Sequence, residues 1–205
     1  MSGIDPLLRL APVVPVLVVE DAADAGPIAE ALVAGGLPLL EVTLRTPAAL
    51  EVIREMAAVP GAVVGAGTVV SPSQLEAAVA AGSRFIVSPG LTEEVARAAI
   101  AMKIPFLPGV ASASDMMRGL ALGLDRFKFF PAVPAGGLPL LSALAAPFPD
   151  VRFCPTGGIR EETAADWLSH PAVLAVGGSW LVPRGQPDAD AIRSAAARAA
   201  ALRRG

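Results

Sequence analysis

Two charged side chains stand where strand-forming sequence offers no ordinary use for charge. Lys128 lies inside Arg126-Phe127-Lys128-Phe129-Phe130-Pro131 and is one of two lysines, against fourteen arginines. The other, Lys103 in Ala101-Met102-Lys103-Ile104-Pro105, reads as the polar end of a helix before a turn. An ammonium on a buried strand is costly unless it is paired, and burial disfavours its charged form. A neutral lysine amine is a nucleophile that adds to carbonyl carbon and forms Schiff bases. The plainer alternative is a lysine at a strand end, its stem packed on the phenylalanines and its head in water. The second charge is Glu41, in Leu39-Leu40-Glu41-Val42-Thr43-Leu44-Arg45, a run otherwise apolar up to Thr43. A carboxylate beside a Schiff-base lysine can move protons as general acid and base, whereas the bland reading of the two is a buried structural ion pair.

The elements that must position this pair are read from periodicity. Brief β-branched runs alternate with alanine-rich, helix-compatible stretches to the end of the chain. The strands expected are Val13–Val19, Leu39–Leu44, Ala62–Ala66, Arg84–Val87, Pro105–Leu107, Arg126–Phe130, Val151–Cys154 and Val173–Val176. Helices are expected at Ala22–Ala34, Ala48–Ala58, Ser73–Ala80, Thr92–Met102, Ser114–Leu122 and Ala189–Arg203, among others. Thr46-Pro47, Ser71-Pro72 and Thr92-Glu93-Glu94 suit helix starts, and glycines 35, 36, 82 and 123 suit helix stops. Short apolar strands separated by helices predict a parallel sheet covered on both faces. Eight such units close most naturally into a (β/α)8 TIM barrel, with an open doubly wound sheet as the alternative. One domain over residues 1–205 is expected, opening with a short N-terminal segment to about residue 11.

Alternation puts Leu39, Glu41 and Thr43 on one strand face and Leu40, Val42 and Leu44 on the other. The second set suits the helix layer, so Glu41 points inward. By the same parity Lys128 shares a face with Arg126 and Phe130, while Phe127 and Phe129 turn to the helices. Strands two and six lie opposite each other in a closed barrel, so Glu41 and Lys128 can meet. Barrel chemistry gathers at the C-terminal strand ends, which is where Arg45, Thr68, Pro89 and Thr156 fall. Gly157-Gly158 follows the seventh strand and Gly177-Gly178-Ser179 the eighth, where barrels often bind phosphate through loop N–H groups. Arg45 and Thr68 remain as donors for a second anion such as a carboxylate.

Hydrophobic residues make up 54% of the chain and charged ones 17%, which is more apolar surface than a small monomer needs and favours a homo-oligomer. A net charge of −3, with no basic stripe beyond Arg203-Arg204, argues against nucleic acid. The single cysteine, Cys154, excludes an internal disulfide, fits a reducing compartment and is read as a core filler. One histidine, His170, cannot build a His/Cys metal site even with Cys154, so no metal is expected. The N-terminus lacks a secretory pattern, and the longest apolar run, Ala11 to Val19, is too short to span a bilayer. A cytoplasmic protein that touches no membrane is the expectation.

With those residues in place, the chain resembles the bacterial 2-keto-3-deoxy-6-phosphogluconate (KDPG) aldolase family, which also acts on 4-hydroxy-2-oxoglutarate. The resemblance runs from about Pro12 to Pro183. It is carried by Pro12-Val13-Val14-Pro15-Val16, Glu41-Val42-Thr43-Leu44-Arg45-Thr46, Gly65-Ala66-Gly67-Thr68, Ser88-Pro89-Gly90, Phe127-Lys128-Phe129-Phe130-Pro131-Ala132, Arg152-Phe153-Cys154-Pro155-Thr156-Gly157-Gly158-Ile159 and Gly177-Gly178-Ser179-Trp180-Leu181. It implies a homotrimeric (β/α)8 barrel and a metal- and cofactor-independent class I aldolase, whose small-molecule partners are pyruvate and a phosphorylated 2-keto-3-deoxy sugar acid. It implies Lys128 as Schiff-base lysine, Glu41 as general acid/base, and Arg45 with Thr68 on the pyruvyl carboxylate. Pro89, Phe130 and Thr156 would line the pocket, and Gly157, Gly158, Gly178 and Ser179 would meet the phosphate. Two departures are Pro139, where many relatives carry lysine after Gly136-Gly137, and the short N-terminal segment. An aldolase for the galactonate-derived epimer, another sugar-phosphate barrel enzyme and a non-catalytic binding protein stay open as alternatives.

Overall fold

The computed structural model describes residues 3–183, 185 and 187–202; the Arg203-Arg204 tail and the end of the expected last helix lie outside them. In order the elements are α1 (Asp5–Leu8), β1 (Val13–Leu17), a 3-10 turn (Ala22–Asp24), α2 (Ala25–Ala34), β2 (Leu39–Thr43), α3 (Ala49–Ala57), β3 (Val63–Gly67), α4 (Pro72–Ala80), β4 (Ile86–Val87) and α5 (Glu93–Ala101). They continue with β5 (Phe106–Leu107), β6 (Gly109–Val110), α6 (Ala113–Ala121), β7 (Arg126–Phe129), α7 (Ala132–Ala135), α8 (Gly137–Ala145), β8 (Arg152–Phe153), α9 (Glu161–Leu168), β9 (Val176–Gly178) and α10 (Ala189–Ala200).

The fold is α/β, with six strands in a parallel sheet ordered β5-β4-β3-β2-β1-β9 that forms a half-barrel. A second sheet has the order β6-β7-β8 and is also parallel. Pro108 ends β5, the expected fifth strand, and separates it from a further short strand, β6, because a proline cannot donate to a ladder. Its carbonyl still accepts from Lys128 N–H at 2.8 Å. On the other flank, Phe153 bridges Val173 and Thr156 bridges Gly177.

Strand parity sorts the apolar residues into two bodies. Leu40, Val42, Phe127 and Phe129 pack with helix residues such as Val52, Ile53 and Met116. Leu39, Val14, Phe85, Val87, Leu107, Cys154 and Leu174 form a separate inner cluster with Ile4 and Leu8 of the N-terminal segment. The short N-terminus therefore does fill the foot of the inner cluster, with Ile4 0% and Leu8 1% exposed. It is pinned there by Asp5, which accepts from Arg126 Nε at 2.5 Å and from Arg9 Nε at 2.6 Å.

Two expected helix caps are seen: Ser71 Oγ accepts from Gln74 N–H and Thr92 Oγ1 from Val95 N–H. Thr46 is a correction. Its hydroxyl donates to Val19 C=O at 2.8 Å, tying the end of β2 to β1, and α3 starts instead after Ala48. The last strand is a second correction: it runs over Val176–Gly178 rather than Val173–Val176, because its partner β1 matches Val13 to Val176 and Pro15 to Gly178. Gly177 and Gly178 are thus inside the strand, and only Ser179 follows it. No helix among the described residues is long and apolar enough to cross a membrane.

The foot of the structure makes a pH prediction. Burial raises the Asp5 carboxyl, but hydrogen bonds and charge from Arg9 and Arg126 outweigh it and hold the group below its ordinary 3.8. A depressed carboxyl stabilises the fold above 3.8 and loses that contribution as pH falls from there through the lower folded value. Asp5→Asn should therefore lower the urea midpoint by a constant amount at neutral pH, and the gap to the parent should close in more acidic buffer. A gap that stays constant or widens in acid would remove the ion pair from the account.

Candidate active site

Lys128 is the third residue of β7, and the flanking Phe127 and Phe129 anchor that strand on the helix layer. Its stem consequently points the other way, and Nζ donates to Glu41 Oε1 at 2.9 Å. The two side chains are 5% and 3% exposed, so this is a buried ion pair. Nζ also lies 5.3 Å from the ring centroid of Phe130, within cation–π range.

Glycines line the strands that carry the pair, and one of them makes room for the acid. In register, Glu41 stands beside Gly65 and Lys128 beside Gly109. A Cβ at Gly67 would run into the Glu41 carboxylate, and one at Gly109 into the Pro89 carbonyl. Sequence analysis gave neither Gly67 nor Gly109 a part in the site. The available signal was a glycine inside a β run, which marks close approach of another group.

Cys154 belongs to the inner cluster, beneath the pair. Burial pushes its thiol up to about 12, with Lys128 lowering it and Glu41 raising it. It is an inert neutral wall, in line with the expected core filler.

At the rim, Arg45 Nε donates to Thr68 Oγ1 at 3.2 Å, bringing together the two residues expected to hold a carboxylate. Thr68 has φ +62°, a left-handed conformation that β-branched residues rarely adopt. Ser88 Oγ donates to Gly90 C=O at 2.6 Å and closes the turn that carries Pro89. Thr156 is buried, its hydroxyl directed to Cys154 C=O at 3.4 Å, and it abuts Gly177, where a Cβ would strike its side chain.

Gly157 and Gly158 have φ +104° and +80°, backbone that a side chain would strain. Their carbonyl side is used, since Val133 N–H donates to Gly157 C=O at 3.0 Å. The N–H groups of Gly157, Gly158 and Ser179 donate to no backbone carbonyl among the described residues. Gly178 differs from the other three residues expected at a phosphate: it is buried in β9, with the Trp180 ring where its Cβ would be. Among the described residues no group of three His, Cys, Asp or Glu side chains could hold a metal ion.

Chemically, an amine in contact with a carboxylate can pass its proton there and become nucleophilic, leaving an acid poised beside it. Arginine and threonine at the rim, with unpaired loop N–H groups across from them, can receive anions.

Residues 4–195 match the family model for KDPG and KHG aldolase. A 2-dehydro-3-deoxy-phosphogluconate aldolase of Zymomonas mobilis is 60% identical over 204 residues, covering 100% of this chain and 98% of its own. The crystal structure of the 2-keto-3-deoxy-6-phosphogluconate aldolase of Zymomonas mobilis with 3-phosphoglycerate superposes with TM-score 0.97 at 60% identity, covering 98% of this chain and 97% of that one. A KDPG aldolase from Legionella pneumophila, with pyruvate captured at low pH as a covalent carbinolamine intermediate, superposes with TM-score 0.94 at 44% identity, covering 98% and 99%.

The ion pair generates a stability prediction. Glu41→Ala strands an ammonium in a dry interior and should cost about 3–5 kcal/mol. The double variant Glu41→Leu/Lys128→Met should recover most of that loss in urea denaturation. A Glu41→Ala protein as stable as the parent would mean that water reaches the amine.

Proposed function

We propose, because this chain belongs to the KDPG and KHG aldolase family, that it is a class I aldolase splitting 2-keto-3-deoxy-6-phosphogluconate into pyruvate and glyceraldehyde 3-phosphate, with 4-hydroxy-2-oxoglutarate as a second substrate. The observation that carries this reading is the 2.9 Å contact between the buried Lys128 amine and Glu41. The enzyme is a lyase.

In the reaction, Glu41 takes a proton from the Lys128 ammonium, and the free amine adds to the C2 ketone to give a carbinolamine. Returning that proton to the departing hydroxyl releases water and forms the iminium. The iminium is the electron sink. Glu41, through the water just released, removes the C4 hydroxyl proton; the C3–C4 bond breaks, its electron pair flows into the iminium, and the aldehyde leaves. The remaining enamine is protonated at C3 and hydrolysed, which returns pyruvate and the lysine. Nothing in this sequence of steps calls for a cofactor.

Arg45 and Thr68 hold the pyruvyl carboxylate in this scheme, and Pro89, Phe130 and Thr156 shape the pocket. Gly157, Gly158 and Ser179 meet the phosphate, while Gly178 gives room to the Trp180 ring next to them. Phe130 is supported by its ring lying against the lysine, and Arg45 with Thr68 by their mutual hydrogen bond.

The two sheets are read as one (β/α)8 barrel in a single domain. Supporting this, β5 and β6 adjoin across Pro108, and Gly177 N–H donates to Pro155 C=O at 2.8 Å on the far side. A cytoplasmic homotrimer is the assembly proposed. Exposed Ile100, Met102, Met117 and Leu120, on or at the end of the successive helices α5 and α6, favour association.

Borohydride reduction with pyruvate should leave a three-carbon adduct on Lys128, found by peptide mass mapping. Glu41→Gln should trap pyruvate only on prolonged incubation and turn over about 10²–10⁴-fold more slowly. An unmodified Lys128 peptide would sink the mechanism, and undiminished turnover would remove Glu41 from it. For the assembly, sedimentation velocity should give one species of three chains; a monomer or dimer at micromolar concentration rules the trimer out.

A further inference from the structure

We propose that Arg160 is the cation of the phosphate end and biases the enzyme toward phosphorylated over dicarboxylic substrates. This rests on the reading of Gly157, Gly158 and Ser179 as the phosphate site. Two loops meet there, the glycine-bearing residues 157–160 after β8 and the one opened by Ser179 after β9, and Arg160 is the cation of the first.

Nothing local explains an arginine at this position. It is the N-cap of α9, with φ −121° and ψ 167°, where short polar acceptors are favoured and a cation opposes the helix dipole. Its side chain makes no capping bond; the helix start is closed instead by Thr163 Oγ1, which accepts from Arg160 N–H at 3.1 Å. Nor is the guanidinium consumed by an ion pair. Its nearest acid is Glu162 at 3.7 Å, and the two side chains are 74% and 77% exposed, so the contact is weak. By contrast Arg97, Arg118, Arg193 and Arg198 each hold a carboxylate at 2.5–2.7 Å. Glu161, the other adjacent acid, is occupied by two nitrogens of Arg198, Nε at 2.6 Å and Nη2 at 3.2 Å.

The guanidinium also has somewhere to act. Arg160, Gly158, Val133, Pro139, Thr163 and Asp166 line an open groove of about 370 Å³ that borders the glycine loop directly. Asp166 lines that groove without forming an ion pair with Arg160 among the described contacts. Loop N–H groups alone are neutral donors, whereas a phosphate carries close to two charges and matches the planar arginine fork. A dicarboxylic substrate ends in a single charge on a shorter chain and has less to gain from this residue.

The test is steady-state kinetics of Arg160→Ala and Arg160→Lys on both substrates, with Ser179→Ala run in parallel and inorganic phosphate as a competitive inhibitor. Arg160→Ala should raise KM for the phosphorylated substrate about tenfold with kcat held, weaken phosphate inhibition by a similar factor, and leave 4-hydroxy-2-oxoglutarate within about twofold. Arg160→Lys should fall between. If Ser179→Ala impairs the phosphorylated substrate selectively while Arg160→Ala does not, Arg160 is excluded and the phosphate site stands. If neither variant is selective, Arg160 is excluded; if inorganic phosphate also fails to compete in the parent enzyme, the phosphate-site reading falls with it. Equal losses on both substrates for Arg160→Ala would likewise exclude Arg160.

Discussion

An ammonium and a carboxylate 2.9 Å apart, both shut away from water, form the contact that the rest of the structure accommodates. Removing two such ions from water costs several kcal/mol each, and their attraction offsets this only when the geometry is close and the surroundings hold no competing charge. The neighbours meet those terms. Glycines 65 and 109 stand in register beside the acid and the lysine, and Gly67 leaves space that a methyl group would take from the carboxylate. Phe130 turns a ring toward the cation, and the thiol of Cys154 stays neutral.

Beneath the pair the inner cluster is apolar, and its foot brings a second charge problem. Arg126 and Lys128 lie two residues apart on β7 and so share its inward face. Each meets an acid from a distant part of the chain, Arg126 the Asp5 of α1 that also holds Arg9, and Lys128 the Glu41 of β2. The four-residue α1 thus has two tasks: Ile4 and Leu8 exclude water, and Asp5 neutralises the lower cation. Were the foot left open, water would climb toward the lysine and the contact above would lose its low-dielectric setting.

Much of this was legible before any coordinates because a charge on an apolar strand has few places to go. Parity alone turned Glu41 and Lys128 inward and Phe127 and Phe129 outward, and the two apolar clusters divide along those lines. What eluded sequence depends on partners distant in the chain. Gly177-Gly178 reads locally as a turn, yet pairing with Val14 and Pro15 makes it strand, with Thr156 packed where a side chain would stand. Thr46 has the look of a helix cap, but Val19 C=O claims its hydroxyl. The pattern of α1 is too short for periodicity to register, and the break at Pro108 matters only because strands on either side pair with different neighbours.

The rim follows a different rule from the interior. Thr68 holds a left-handed φ of +62°, and a strained residue of this kind persists only where its flanks are over-determined. Here they are: Leu44 N–H donates to Gly67 C=O at 2.8 Å on one side, and Val69 N–H to Val87 C=O at 3.2 Å on the other. The strained turn holds the Thr68 hydroxyl where it accepts from Arg45 Nε, so an exposed arginine that would otherwise sample many rotamers is held by one nitrogen. The two terminal nitrogens of that guanidinium remain for an anion, and their ordering cost is met in the folded chain rather than on binding. In the role proposed for it, Arg45 is therefore preorganised by backbone strain, whereas Arg160 is held only by its weak contact with Glu162. That asymmetry suits a site whose carboxylate end must be fixed for the carbonyl carbon to meet the amine, while the far end of the substrate varies in length and charge.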